Sequence, residues 1–270
     1  MRAAAVVAAG AALALGVVAS GVAQQSPPTV PITASESTLT VGAPGPLAAG
    51  PTRFELSRAG GGDLDIGIAA LRPGVTAEEA LTALRSPRPE DVLDLIHLDA
   101  GLTLPQGQQR RAVTVELRPN ATYFVVNATG DRSADWEIQG FTVGAPGTAA
   151  APRPDARLRM VDLRFRGDAT LPLNGVVRVE NAGYAPHFAV AFPLRRGASA
   201  QAVGRALRRD DQRRLGRLVD VRSAVEVQSL ITRGAVNYNE VRFPRRGRYA
   251  LACFFSGHHM QGMYRFVRVR

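Results

Sequence analysis

Apolar and polar residues alternate with a period of two along most of this chain, the pattern of strands that bury one face. Thr52-Arg-Phe54-Glu-Leu56 and Leu64-Asp-Ile66-Gly-Ile68 alternate, with Gly60-Gly-Gly62 breaking the run between them. Ala112 to Leu117, Thr122 to Val126 and Trp136 to Val143 read as further strands, and Arg118-Pro-Asn120 as a turn. Farther on, Leu163 to Phe165, Val176 to Glu180 and His187 to Phe192 carry the same strand signal, with Asn181-Ala-Gly-Tyr-Ala-Pro186 as a turn. Two stretches depart from it. Thr76-Ala-Glu-Glu79 is a capping box and predicts a helix through about Arg85, with a second short helix over 89–96. Ser199 caps a predicted long, Arg-rich helix over 200–218, with Leu207, Leu215 and Leu218 in its apolar stripe.

The second half of the pattern repeats the first. Leu71-Arg-Pro-Gly-Val-Thr76 is matched by Leu194-Arg-Arg-Gly-Ala-Ser199. Val115 to Val126 is matched by Val241 to Ala252, which aligns Tyr123 with Tyr249. Matches in one order at nearly one offset predict tandem copies of a single fold. Gly144 to Asp155 is rich in Pro, Gly and Ala and reads as the linker between them. The expected organisation is a first unit over 37–143, a linker over 144–157 and a second unit over 158–270, each unit all-β with a helical insertion. Residues 24–36, polar with Pro27, Pro28 and Pro31, read as a flexible leader.

Residues 1–23 begin Met1-Arg2, run uncharged from Ala3 to Val18 and end in small residues, the form of a secretory signal peptide. No later segment is apolar and long enough to span a membrane. The expected location is therefore secreted, periplasmic or in the cell envelope. The chain has 270 residues and a net charge of +10, and all 33 of its basic residues are Arg. They are scattered, with no nucleic-acid-binding motif, so no nucleic acid is expected as a partner. A basic face suited to an acidic partner protein or an anionic envelope surface is.

The chemistry concentrates at the C-terminal end, in Tyr249-Ala-Leu-Ala-Cys253-Phe-Phe-Ser-Gly-His258-His259-Met260-Gln-Gly-Met263. This stretch holds the only Cys, two of four His and two of four Met. Outside the cytoplasm a lone cysteine pairs between chains, stays free or binds metal, and a bound metal protects it from oxidation. Thiolate, imidazole and thioether together are the ligands of a soft transition metal, copper above all. Alternation points Cys253 inward at a strand end, and the returning hairpin brings Met263 close to it. A third strong ligand must come from elsewhere, and His187, at a strand start after a turn, is the candidate.

His187 behind Asn181-Ala-Gly-Tyr-Ala-Pro186, with Cys253-x4-His258-x4-Met263, resembles the cupredoxins, the type 1 blue-copper proteins. The resemblance implies two Greek-key cupredoxin-like β-sandwiches, the first degenerate. It implies one type 1 copper site in the second, with His187, Cys253 and His258 as strong ligands and Met263 as the long axial one. His259 is an alternative to His258, and Met260 is a neighbouring spare. Phe188 departs from the family, which commonly has a small polar residue there to tie the ligand loops together. In the first copy Leu64 falls at the His187 position and Asn127 at the Cys253 position, and His97 is expected to be unligated. Four histidines are too few for a trinuclear copper centre, and no catalytic triad, phosphate loop or paired carboxylates stand out. No enzyme activity is expected. The resemblance implies electron transfer with a redox partner protein; the alternatives are copper storage or delivery, and a metal-free envelope binding module.

Overall fold

The computed structural model describes residues 25–270 apart from 44, 87 and 131; the expected signal peptide lies outside the described residues. The first half contains β1 (Thr29–Ala34), β2 (Leu39–Val41), β3 (Leu47–Arg58), β4 (Leu64–Leu71), β5 (Ile96–Leu104), β6 (Arg110–Leu117), β7 (Ala121–Asn127) and β8 (Glu137–Pro146). The second contains β9 (Ala156–Val161), β10 (Arg164–Gly167), β11 (Thr170–Leu171), β12 (Asn174–Asn181), β13 (His187–Pro193), β14 (Val225–Ile231), β15 (Val236–Arg242), β16 (Gly247–Ala252) and β17 (Tyr264–Val269).

The two halves share one strand order. The first runs β2-β1-β3-β6 in one layer and β8-β7-β4-β5 in the other, and the start of β3 pairs parallel with β8. The second runs β10-β9-β12-β15 and β11-β17-β16-β13-β14, with β11 parallel to β17. Each pair of layers encloses its own apolar core. Phe54, Ile66, Leu102 and Val125 lie in one, and Leu158, Val179, Tyr249 and Leu251 in the other. Alternation along β16 divides its residues as the pattern predicts. Tyr249 and Leu251 face this core, whereas Ala250 and Ala252 face the helices packed outside.

The helical insertions fall at equivalent places. α1 (Ala77–Leu84) leads from β4 towards β5, opened by the predicted capping box of Thr76 and Glu79 and followed by a 3-10 helix over Pro89–Asp94. The single long helix expected over 200–218 is two helices, α2 (Ala200–Arg208) and α3 (Gln212–Leu218), between β13 and β14. The break is local. Asp210 takes a left-handed φ of 50°, and the Asp211 side chain caps α3 by accepting from the Arg214 N–H at 2.8 Å. Bending there lets Leu207 and Leu215 both reach the outer face of β16.

Two further expectations need correction. Residues 24–36 are not a free leader. β1 pairs parallel with β3 and antiparallel with β2, and it buries Val30, Ile32 and Ala34 in the first core. Strand structure also enters both ends of the 144–157 stretch, since β8 runs to Pro146 and β9 starts at Ala156. The halves meet edge to edge. β6 and β15 pair antiparallel through Val113–Val115 and Asn237–Asn239. β5 and β14 come close enough that a Cβ on Gly101 would lie 2.6 Å from the Ser229 Cβ, so only glycine fits there. Arg53 to Glu240 and Arg111 to Glu226 are ion pairs across this junction, at 2.9 and 2.8 Å.

Tyr123 and Tyr249, equivalent in the repeat, each close a turn a few residues upstream. The Tyr249 hydroxyl donates to the Arg245 carbonyl at 2.7 Å. The Tyr123 hydroxyl accepts from the Arg118 N–H at 2.9 Å and donates to buried Asp99 at 2.7 Å, which also binds the Arg118 guanidinium through both oxygens. Removing the carboxylate would leave the buried Tyr123 O–H without an acceptor and a half-buried guanidinium unpaired. Asp99→Ala is expected to cost on the order of 3 kcal/mol of stability. Urea unfolding measures this, and a midpoint equal to the parent's would show that the tie contributes nothing.

Candidate metal centre

His187 is the first residue of β13, and the turn before it is held by one side chain. Asn181, fully buried, donates through Nδ2 to the Ala185 and Ile231 carbonyls, each at 2.9 Å, and accepts from the Gly183 N–H at 3.0 Å. Those three bonds fix the path from β12 to β13 and so the direction of the imidazole. Gly183 lies close by; a Cβ there would come within 2.5 Å of Asp162 Oδ1 and 2.9 Å of His187 Nε2. The mechanical parts of Asn181 and Gly183 are not legible in the local sequence, because their partners Ile231 and Asp162 lie outside the turn.

Cys253 follows β16, and its N–H donates to the Met263 carbonyl at 3.1 Å, which closes the hairpin as the alternation predicted. Between them the chain makes tight turns, with the Gly257 and His258 N–H groups donating to Phe254 and Phe255 and the Met263 N–H donating to the His258 carbonyl at 3.0 Å. Ser256 adopts a left-handed φ of 44° to make this bend. The loop folds His258 back over the strand end.

Three of the four expected residues converge through their donor atoms. The two Nδ1 atoms of His187 and His258 are 3.1 Å apart, and Cys253 Sγ lies 4.0 Å from the first and 3.7 Å from the second. All three side chains are buried. Met263 is fully buried in the same apolar cluster as Cys253. His259, adjacent in sequence, points elsewhere. Its Nε2 lies 3.0 Å from Asp210 Oδ1 in the α2–α3 bend, and its ring packs against Phe254. Met260 is 45% exposed. His97 lies on β5 opposite Ala70 and is not among the converging donors.

Each protonation state follows from burial. Desolvation, then the neighbouring His258, holds the His187 pKa down at about 4, against a weaker opposing pull from Asp162. Desolvation also lowers the pKa of His258. The Cys253 thiol is pushed up by burial, although the N–H groups of Phe188 and Phe255 donate to its sulfur and favour the thiolate. At neutral pH the cluster therefore holds two neutral imidazoles and a thiol. A soft cation would find lone pairs on both rings and would displace the thiol proton.

The donor set fits a copper ion. Metal–nitrogen bonds near 2.0 Å and a metal–sulfur bond near 2.3 Å, spread at about 120°, separate N from S by about 3.7 Å. The N-to-S distance to His258, 3.7 Å, equals that value, and the one to His187, 4.0 Å, is 0.3 Å longer. The Phe188 side chain cannot tie the ligand loops as a polar residue would, but its main-chain N–H reaches the sulfur in its place. The donors stand at the start of β13 and in the β16–β17 hairpin, where the resemblance implies them.

No protein-family model matches the chain, and no curated protein matches its sequence. Among solved structures, the chain is similar to auracyanin B, at 22% identity over 45% of this chain and 93% of that one, with a TM-score of 0.30. It is also similar to auracyanin A from Chloroflexus aurantiacus, titled a "blue" copper protein, at 16% identity over 42% and 96% of the two chains, TM-score 0.28. Copper nitrite reductase from Nitrosomonas europaea aligns over 90% of this chain and 93% of its own, at 12% identity and a TM-score of 0.27.

Under the same repeat, the first copy places Leu64 in its apolar core and Asn127 at the end of β7. Asn127 donates to the carbonyls of Ser35 and Thr38 at 2.8 and 3.1 Å, so hydrogen bonds to the β1–β2 turn stand where the second copy gathers donors.

The lowered His187 pKa has a consequence for stability. Between its unfolded pKa of about 6.5 and its folded value of about 4, the unfolded chain binds a proton that the folded one refuses. Stability of the metal-free protein is therefore expected to fall as pH drops through that window, by on the order of 3 kcal/mol from this residue. Urea midpoints between pH 7 and pH 4 check it; His187→Leu should flatten the slope, and an unchanged slope in that variant would assign the loss to other groups.

Proposed function

We propose that the protein is an exported copper protein that carries electrons through a single type 1 site, with His187, Cys253, His258 and Met263 as its ligands. The observation that carries this reading is the convergence of two imidazole Nδ1 atoms and one thiol sulfur within one buried cluster. Copper held by such ligands supplies a one-electron couple between Cu(I) and Cu(II).

The chain's own residues suit that task. Asn181 and the hairpin hydrogen bonds hold the donors in place before any ion arrives, so a change of charge would require little movement. The Phe188 and Phe255 N–H groups, donating to the sulfur, stabilise its anionic form and spread its charge into the main chain. Apolar packing around Cys253 and Met263 excludes water from the sulfur side. His258 is 7% exposed whereas His187 and Cys253 are fully buried, so the edge of His258 is the route by which an electron would pass to a redox partner protein.

Storage or delivery of Cu(I) would use the spare soft ligands His259, Met260 and Met160; His259 is bound to Asp210, Met260 is 45% exposed, and Met160 is buried in the core that holds Cys253 and Met263. No helix among the described residues is long and apolar enough to cross a membrane. Export, secreted or to the cell envelope, stays with the N-terminal sequence pattern.

Titration with Cu(II) is expected to give one equivalent of an intensely coloured adduct, from thiolate-to-copper charge transfer. Cys253→Ser and His258→Ala should abolish the colour, and His259→Ala should leave it. A colourless parent adduct, or loss of colour in His259→Ala with retention in His258→Ala, would overturn the assignment.

A further inference from the structure

A second concave site lies between the two sandwiches. A cleft of about 500 Å³ opens between the outer face of β4 and β5 in the first and that of β13 and β14 in the second. Its walls are apolar and include Leu98, Val126, Trp136, Phe188 and Phe255. The size and the mainly apolar lining with a few polar groups are those of a small-molecule site at a domain interface.

The charges in it are unlike those of the rest of the chain. The protein carries 33 Arg and a net charge of +10. Nevertheless, among the described residues, the charged ones that line this cleft are Asp65, Glu90 and Glu226, and none is an Arg. Glu226 is already engaged, accepting from Thr103 and Ser229 and paired with Arg111 on β6. Asp65, on β4, stands beside the Thr103 hydroxyl, which donates its proton to Glu226, and has Glu226 as a repelling neighbour. An added cation would relieve that repulsion while its apolar body covered the aromatic walls.

We propose that this cleft binds a small organic amine with an apolar, aromatic or aliphatic body, its protonated nitrogen at Asp65 and its body against Trp136, Phe188 and Phe255. The site is separate from the copper ligands and does not require a bound metal. It touches the copper site through Phe188 and Phe255, whose rings line the cleft while their N–H groups donate to the Cys253 sulfur.

Trp136 is the chain's single tryptophan, so its fluorescence reports on the cleft directly. The metal-free full chain would be titrated with 4-phenylbutylamine, 4-phenylbutanol and 4-phenylbutyrate, which share one body and differ in head group. The amine is expected to shift the Trp136 emission saturably and to bind more tightly than the alcohol, and the acid least. Asp65→Asn should weaken the amine about fivefold, as expected for one partly exposed ion pair, and leave the alcohol unchanged. Protonating Asp65 should do the same. Burial and Glu226 raise its pKa to about 6, against Thr103 and Arg111, so amine affinity should decline as pH falls below that value. Asp65 sits at the cleft mouth, and matching urea midpoints for parent and Asp65→Asn would exclude misfolding as the cause. Equal binding of amine and alcohol, an unchanged affinity in Asp65→Asn, or no Trp136 response to any probe would each overturn the proposal. The same titration on Cys253→Ser separates the two readings, because amine binding is expected to survive there whether or not the parent takes up copper.

Discussion

Two imidazoles and a thiol buried in one apolar pocket are a costly arrangement, and much of the second sandwich is built to hold it. Polar groups removed from water need partners, and those near at hand for these donor atoms are one another and two main-chain N–H groups. Burial outweighs the pull of Asp162 on the imidazoles and of the main-chain N–H groups on the sulfur, and drives both histidines and the cysteine towards their neutral forms. Such a cluster keeps its shape only if the backbone on either side is fixed independently. Asn181 does this for His187, and the hairpin hydrogen bonds do it for Cys253 and His258. The same burial that makes the cluster expensive leaves its lone pairs free for an ion.

The first sandwich shows which part of that construction belongs to the fold. It has the same strand order, the same helical excursion between its fourth and fifth strands and a tyrosine at the matching place in β7. With Leu64 at the histidine position and Asn127 at the cysteine position, the corresponding region is closed by ordinary packing and by two hydrogen bonds to the β1–β2 turn. In the second copy the equivalent turn carries Asp162, whose carboxylate stands 3.8 Å from His187 Nε2. The scaffold therefore folds around either solution, and the donors are an addition to it.

What could be read from the sequence was whatever lies in local periodicity and residue chemistry. Alternation located the inward face of β16 and its continuation to Cys253, the capping box located α1, and the repeat matched the two tyrosine turns. β1 escaped because Pro27, Pro28 and Pro31 look like linker composition, although Val30, Ile32 and Ala34 keep a period of two. Proline is tolerated there because β1 pairs over only a short length with β2. The Asp210 break was hidden because an Arg-rich run with leucines at helical spacing reads as one continuous stripe. The choice between His258 and His259 was not local at all. It depends on Asp210, 49 residues away, which holds the second histidine at the helical insertion.

Phe188 shows why a departure from a family motif need not be a defect. A polar side chain after the first histidine would tie the ligand loops, and a phenylalanine forfeits that bond. The sulfur is nevertheless reached from the same residue by its main-chain N–H, a contact that no substitution other than proline removes. That leaves the side chain free to serve a second surface, and here it does, as a wall of the cleft against the first sandwich. Rigidity at the donors and the wall of the cleft thus rest on different atoms of one residue, and the first copy encloses the side of the site that Phe188 and Phe255 face.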